Sequence, residues 1–172
     1  MLQNNNSYKI LDLFFKSPKK NFQLREISRL AKVALPSTKR YLENLVKNQL
    51  ILKNKETLYK SYNANIENKE FKLYKKISTL IKLSSLVNEV EDKINPDVII
   101  IYGSASKGED VEDSDIDLFV IGKEKTLNLK NFEKGLNRKI HMIFEENIKN
   151  VSKEFLNNLI NGIILSGYLK VF

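Results

Sequence analysis

The chain has 172 residues, a formal net charge of +8, 42% hydrophobic and 29% charged residues, one histidine and no cysteine. That length suits one ordinary domain or two small ones with real cores, and the missing cysteines exclude disulfide scaffolds and thiolate metal sites. The longest apolar run, Val98–Tyr102, is far short of the ~20 residues that span a bilayer. The N-terminus lacks the charged and apolar regions of a signal peptide, so a cytoplasmic protein with no membrane partner is expected.

The positive charge is clustered. Residues 1–65 hold 13 basic and 4 acidic side chains, a net of +9; residues 66–95 hold 6 and 5, a net of +1; residues 96–172 hold 10 and 12, a net of −2. A local excess of this kind points to a polyanionic partner and to modules with different tasks. The expected division is 1–65, a helical linker 66–95, and 96–172.

In chain order, Tyr8–Phe15 predicts a short helix that Ser17-Pro18 ends, and Leu24–Ala31 a second with apolar residues at i, i+3 and i+6. After a turn at Lys32–Leu35, Pro36 suits the first position of a third helix, about Pro36–Asn48. Tyr41, Leu42, Leu45 and Val46 are its expected buried face, opposite Ser37, Thr38, Lys39, Arg40, Asn44 and Lys47. Leu50–Lys53 and Thr57–Tyr62 flank Asn54-Lys55-Glu56 and read as a hairpin.

Helix, helix, turn, helix and hairpin over residues 7–65 resembles a winged helix-turn-helix domain. The resemblance implies a third helix in the major groove of double-stranded DNA, with Ser37, Thr38, Lys39 and Arg40 facing it, and a wing carrying Lys53, Lys55 and Lys60. Arginine can read guanine bidentately, whereas wing lysines mostly attract phosphate. A solvated basic face, or a surface for protein contacts, is the alternative reading.

Residues 66–94 contain no Gly or Pro and repeat apolar side chains at intervals of mostly three or four, with a phase slip between Ile81 and Leu83. One uninterrupted coiled coil is therefore not expected. The segment either packs on the C-terminal module, pairs with its copy in a homodimer, or forms two helices.

Asp97–Tyr102 predicts a strand buried on both faces. It feeds Gly103-Ser104-Ala105-Ser106-Lys107-Gly108, and Ser114-Asp115-Ile116-Asp117 then opens a second strand. Aspartate is disfavoured in strands, yet Asp115 and Asp117 share a face about 7 Å apart. Two such carboxylates repel unless a cation or donors lie between them, and Mg²⁺ takes oxygen ligands of this kind together with substrate phosphates. A helix opening at Ser104 turns backbone N–H groups toward an anion. The loop is no Walker A motif, because Gly108-Glu109-Asp110 stands where Gly-Lys-Ser/Thr is required.

This spacing resembles the nucleotidyltransferases of the DNA polymerase beta superfamily, and most of all the minimal nucleotidyltransferases, with a Gly-Ser-x-x-x-Gly loop and a Ser-Asp-Ile-Asp-Leu strand. The resemblance covers residues 97–172. It implies nucleotide binding by Gly103, Ser104, Lys107, Gly108 and Ser114. It also implies Mg²⁺ or Mn²⁺ on Asp115 and Asp117, the catalytic pair, and NTP as substrate or ligand. The whole is then an α+β protein: winged helix-turn-helix, helical linker, and a small nucleotidyltransferase fold with a mixed β-sheet and flanking helices. Residues 151–161 predict a helix, and Gly162–Leu165 a segment completing the sheet or its packing.

Active members of that family carry a third carboxylate on a following strand. Here the matching position, on Arg138–Phe144, is His141. Imidazole can act as a base near neutral pH, and Glu145, on the same face, is a second candidate if the strand bends inward. Two functions follow. One is an enzyme that transfers a nucleotide from NTP to a protein or small hydroxyl acceptor while the first module binds DNA. The other is a transcriptional regulator or antitoxin with an inactive, nucleotide-sensing domain. Fusions of this kind resemble a prokaryotic group, and its minimal relatives include antitoxins that modify a toxin partner.

Overall fold

A computed structural model describes residues 5–54 and 60–171. The chain divides into two compact units, Met1–Lys75 and Lys76–Phe172.

The first unit begins with α1 (Asn6–Lys16), capped by the Asn5 side chain, which accepts from the Ser7 and Tyr8 amides. Next come β1 (Phe22–Gln23), α2 (Leu24–Ala31), α3 (Leu35–Lys47), β2 (Ile51–Asn54) and β3 (Ser61–Ala64). The strands form an antiparallel sheet in the order β1-β3-β2. β1 is too short to show alternation in sequence. It exists because Phe22 pairs with Tyr62 and enters the core with Phe14, Ile27, Leu42 and Ile51. Lys32 closes α2 in the left-handed region at φ 54°, and the chain enters α3 three residues later. The hairpin is present with arms shifted from those predicted: β2 and β3 pair from Asn54↔Ser61 outward to Ile51↔Ala64, so Asn54 belongs to a strand and the second arm runs on to Ala64. Lys55 and the rest of 55–59 lie outside the described residues.

The linker is one continuous helix, α4 (Lys69–Ile94), rather than two. Phe71 belongs to the first unit's core, whereas Leu83, Leu86 and Val90 belong to the second's. The change of core comes before the phase slip read at Ile81–Leu83, since Leu80 already packs with the second core.

The second unit continues with β4 (Val98–Tyr102), α5 (Gly103–Lys107), β5 (Ile116–Ile121), α6 (Lys130–Leu136), β6 (Ile140–Glu145), α7 (Lys153–Ile160) and β7 (Ile163–Gly167). Its mixed sheet runs β6-β5-β4-β7, with β5 and β6 parallel and the other pairs antiparallel. The parallel pair needs a crossover, which α6 supplies. On one face, Ile99, Ile101, Leu118 and Val120 pack with Leu83, Leu86 and Val90 of α4 and Leu136 of α6. On the other, Val98, Ile100 and Phe119 pack with Leu159 and Phe155 of α7. All five residues of β4 are buried although both its neighbours are antiparallel. Its central position between two helical layers does this, rather than parallel pairing. The Phe155 ring sits edge-on to Tyr102 and Phe119, with centroids 5.2 and 5.6 Å away, so α7 is keyed to the sheet end where β4 runs into α5. Burying a ring such as Phe119 contributes about 1.5–3 kcal/mol.

Candidate active site

Strand register creates the site. Tyr102, the last residue of β4, lies opposite Asp117 on β5, and Asp117 lies opposite His141 on β6. Directly paired residues project to the same side of a sheet. One row across three strands therefore carries a phenol, a carboxylate and an imidazole. His141 Nδ1 stands 3.5 Å from Asp117 Oδ1, and both side chains are reached by solvent.

Gly103 follows Tyr102 with φ +70°, where L side chains are disfavoured. A Cβ there would come within 2.7 Å of Asp117 Oδ2. Glycine is required twice over at this position: the backbone is left-handed, and the Asp117 carboxylate fills the space a side chain would take. Burial, and secondarily the Asp117 charge, raises the Tyr102 hydroxyl above its ordinary pKa.

Asp115 lies one residue before β5 and is exposed, two residues from Asp117 in the chain. The loop leading to it is internally tied. The Val111 amide donates to Ser114 Oγ at 2.9 Å, and buried Asp110 and Arg138 form an ion pair at 3.4 Å. The Ile116 amide donates to the Lys139 carbonyl at 2.8 Å, and the Ile140 amide to Glu133 at 3.1 Å. These bonds hold the start of β5 beside the start of β6. A cavity of about 370 Å³ opens here, bordered by Ser114, Asp115, Lys134, Arg138 and Lys139.

The predicted nucleotide-binding residues divide. Ser104 is half-buried at the start of the single-turn α5, and Lys107 at its end is exposed. Gly108 is buried and ends α5 in the left-handed region at φ +74°, so its freedom serves the turn. Ser114 Oγ accepts from the Val111 amide, which ties it into the loop. Glu145 is not near the row. It pairs with Ile121 at the other end of β6 and accepts from Asn150, roughly 13 Å along the strand from His141. The inward bend it would need is absent, because β5 and β6 stay in register over all six pairs.

Among the described residues, no three His, Asp or Glu side chains are gathered closely enough to hold a metal ion. The donor chemistry nevertheless fits a divalent ion in part. Asp117 and His141 stand ready as a pair, and Asp115 and substrate phosphate oxygens can complete a shell.

In the first unit, Lys39 and Arg40 are exposed on α3 and Ser37 is half-buried. The Arg40 guanidinium lies 5.5 Å from the Tyr41 ring centre. Lys53 is exposed on β2, and Lys60 is exposed one residue before β3. Thr38 corrects the sequence reading. It is completely buried, and its hydroxyl donates to the carbonyls of Val33 and Ala34 at 3.2 and 3.1 Å. A residue one turn into α3 meets the turn that precedes the helix, so Thr38 anchors that turn and presents nothing to a partner.

Residues 84–168 match the family model described as polymerase beta, nucleotidyltransferase. The match lies within the second unit and takes in Gly103, Asp115, Asp117 and His141. The match supports a nucleotidyltransferase domain in the second unit, as the loop and strand motifs implied. A search of curated proteins finds no match to the chain. Sequence reasoning missed Tyr102 and the Asp110–Arg138 pair. The position of Tyr102 just before Gly103 was a usable signal for the first. The second had none, since 28 residues and a crossover separate its partners.

Proposed function

We propose that the nucleotidyltransferase domain binds an NTP with a divalent ion and transfers the nucleotide to a hydroxyl acceptor, protein or small molecule, while the first unit binds double-stranded DNA. The observation that carries the enzymatic reading is the convergence of Gly103, Asp117 and His141 at one end of the sheet. There the acceptor oxygen bonds to the α-phosphorus as the bond to the β-phosphate's bridging oxygen breaks and pyrophosphate leaves. The hydroxyl proton passes to solvent. A divalent ion, when bound, supplies charge neutralisation on the phosphates. Asp117 and Asp115 hold it, Ser104 and Lys107 face the triphosphate, and the buried ring of Tyr102 forms the floor beside Asp117. A winged helix-turn-helix reading of the first unit is supported by its element order, by the net +9 of residues 1–65 and by exposed Lys39, Arg40, Lys53 and Lys60.

One observation favours the non-catalytic alternative, a regulator or antitoxin that only senses nucleotide: no third carboxylate stands in the row of Asp117. The two readings separate in one experiment. The full chain is incubated with NTP labelled at the α-phosphate, divalent metal and cell-free acceptor fractions. Label should move to an acceptor and be lost when Asp115→Ala is combined with Asp117→Ala. Nucleotide binding without transfer of label from any NTP would establish the sensor.

A further inference from the structure

We infer that His141 is a metal ligand that turns the site from Mg²⁺ toward a transition-metal ion such as Mn²⁺ or Co²⁺. The inference rests on the reading of this row as the domain's metal-binding site. Two ligands at about 2.1 Å from one ion stand roughly 3.0 to 3.4 Å apart, from right-angled to tetrahedral arrangements. His141 Nδ1 and Asp117 Oδ1 are 3.5 Å apart, so a small closure of two solvent-reached side chains brings both onto one ion. Strand pairing holds them there, with Asp117↔His141 one rung above the start of the parallel ladder.

The chemistry of the donors sets the preference. Mg²⁺ favours oxygen ligands in near-ideal octahedra, whereas imidazole suits first-row transition metals, with affinity rising from Mn²⁺ through Co²⁺. A carboxylate at this rung would keep the site all-oxygen; an imidazole does not. The rung also has no substitute oxygen, because Glu145 is at the far end of β6 and Tyr102 on the other flank is buried. On its other side the Asp117 carboxylate lies against Gly103, in the space that a Cβ there would take.

The test uses the full-length protein, stripped of metal and titrated with Mn²⁺, Co²⁺ and Mg²⁺. Free Mn²⁺ is followed by electron paramagnetic resonance, Mg²⁺ by competition, and Co²⁺ by its visible absorption. The wild-type chain should prefer Co²⁺ and Mn²⁺ to Mg²⁺ by at least about tenfold. His141→Ala should lose about tenfold or more in Co²⁺ affinity, together with the nitrogen coupling on bound Mn²⁺, and keep Mg²⁺ affinity within about twofold. His141→Asp should bring the three metals closer together by improving Mg²⁺. Equal loss for all three metals in His141→Ala, or unchanged Co²⁺ affinity, overturns the inference. Binding of a fluorescent ATP analogue is measured on the same samples. If nucleotide fails to bind while the His141-dependent metal preference persists, the proposed function falls and the metal assignment stands; the reverse pattern sinks the metal assignment alone.

Discussion

The two units spend their charged and polar residues in opposite ways. In the first, the candidate interface consists of separate exposed cations, Lys39, Arg40, Lys53 and Lys60, on α3, on β2 and just before β3. On the proposed DNA-binding reading such charges act additively and at long range, so approximate placement suffices and salt weakens them. In the second, the chemistry is gathered into one row whose members are set by strand register and by a glycine that fits against a carboxylate. Short-range contacts of that kind depend steeply on position. The lesson is that damage should be graded in the first unit and abrupt in the second.

The sharpest way to break this contrast is Gly103→Ala. The new methyl group meets Asp117 Oδ2 in a left-handed backbone. Nucleotidyl transfer should fall by about a hundredfold, and stability by about 1–2 kcal/mol. Labelled transfer and thermal melting measure the two. A variant with wild-type transfer would show that the Asp117 position is not critical.

A smaller, graded effect is expected from Lys39→Ala combined with Arg40→Ala. DNA affinity of the full chain should drop about tenfold, and the slope of log affinity against log salt should fall by about 2. Fluorescence anisotropy across a salt series reads both. An unchanged slope would remove these side chains from the interface.

Thr38→Val sharpens the correction within α3. Losing a buried hydroxyl bond should cost about 1 kcal/mol in denaturant unfolding. DNA affinity at a temperature well below the transition should stay within about twofold, because Thr38 is buried.

The smallest effect concerns Tyr102→Phe, which keeps the ring contact with Phe155. The folded-state pKa of Tyr102 lies above its ordinary value of 10.0, first through burial and then through the Asp117 charge. The folded state therefore holds the phenolic proton more tightly than the unfolded chain. Its contribution is fully present below about pH 10 and is lost as pH rises through the folded value. Unfolding curves taken above pH 10 should fall less steeply for the Phe variant than for the wild type.

Much of this was legible in the chain. The three helices of the first unit, the hairpin arms, β4, the loop 103–108 and β5 each have local signals: apolar period, capping or breaking residues, β-branched runs. Asp115 and Asp117 stood out because carboxylates are out of place at the mouth of an apolar strand. Other features had no local signal. β1 is two residues long and depends on Tyr62 across the sheet. Thr38 looked exposed by helical period, but the turn at Val33 and Ala34 folds over it. Glu145 looked available because alternation gives a face and not a distance along the strand.

The opening figure of +8 resolves into a basic first unit and a faintly acidic second one, and the sequence by itself determined that asymmetry, the absence of thiolate chemistry and the residues of the loop and strand motifs. These depend on composition and on near neighbours along the chain. Only the tertiary structure decided that Tyr102, Asp117 and His141 form one row, that Gly103 yields its side-chain space to Asp117, and that α4 serves one core at Phe71 and another from Leu80. Each of those facts joins residues far apart in sequence. Pairing register and packing bring them together, and no local preference encodes either.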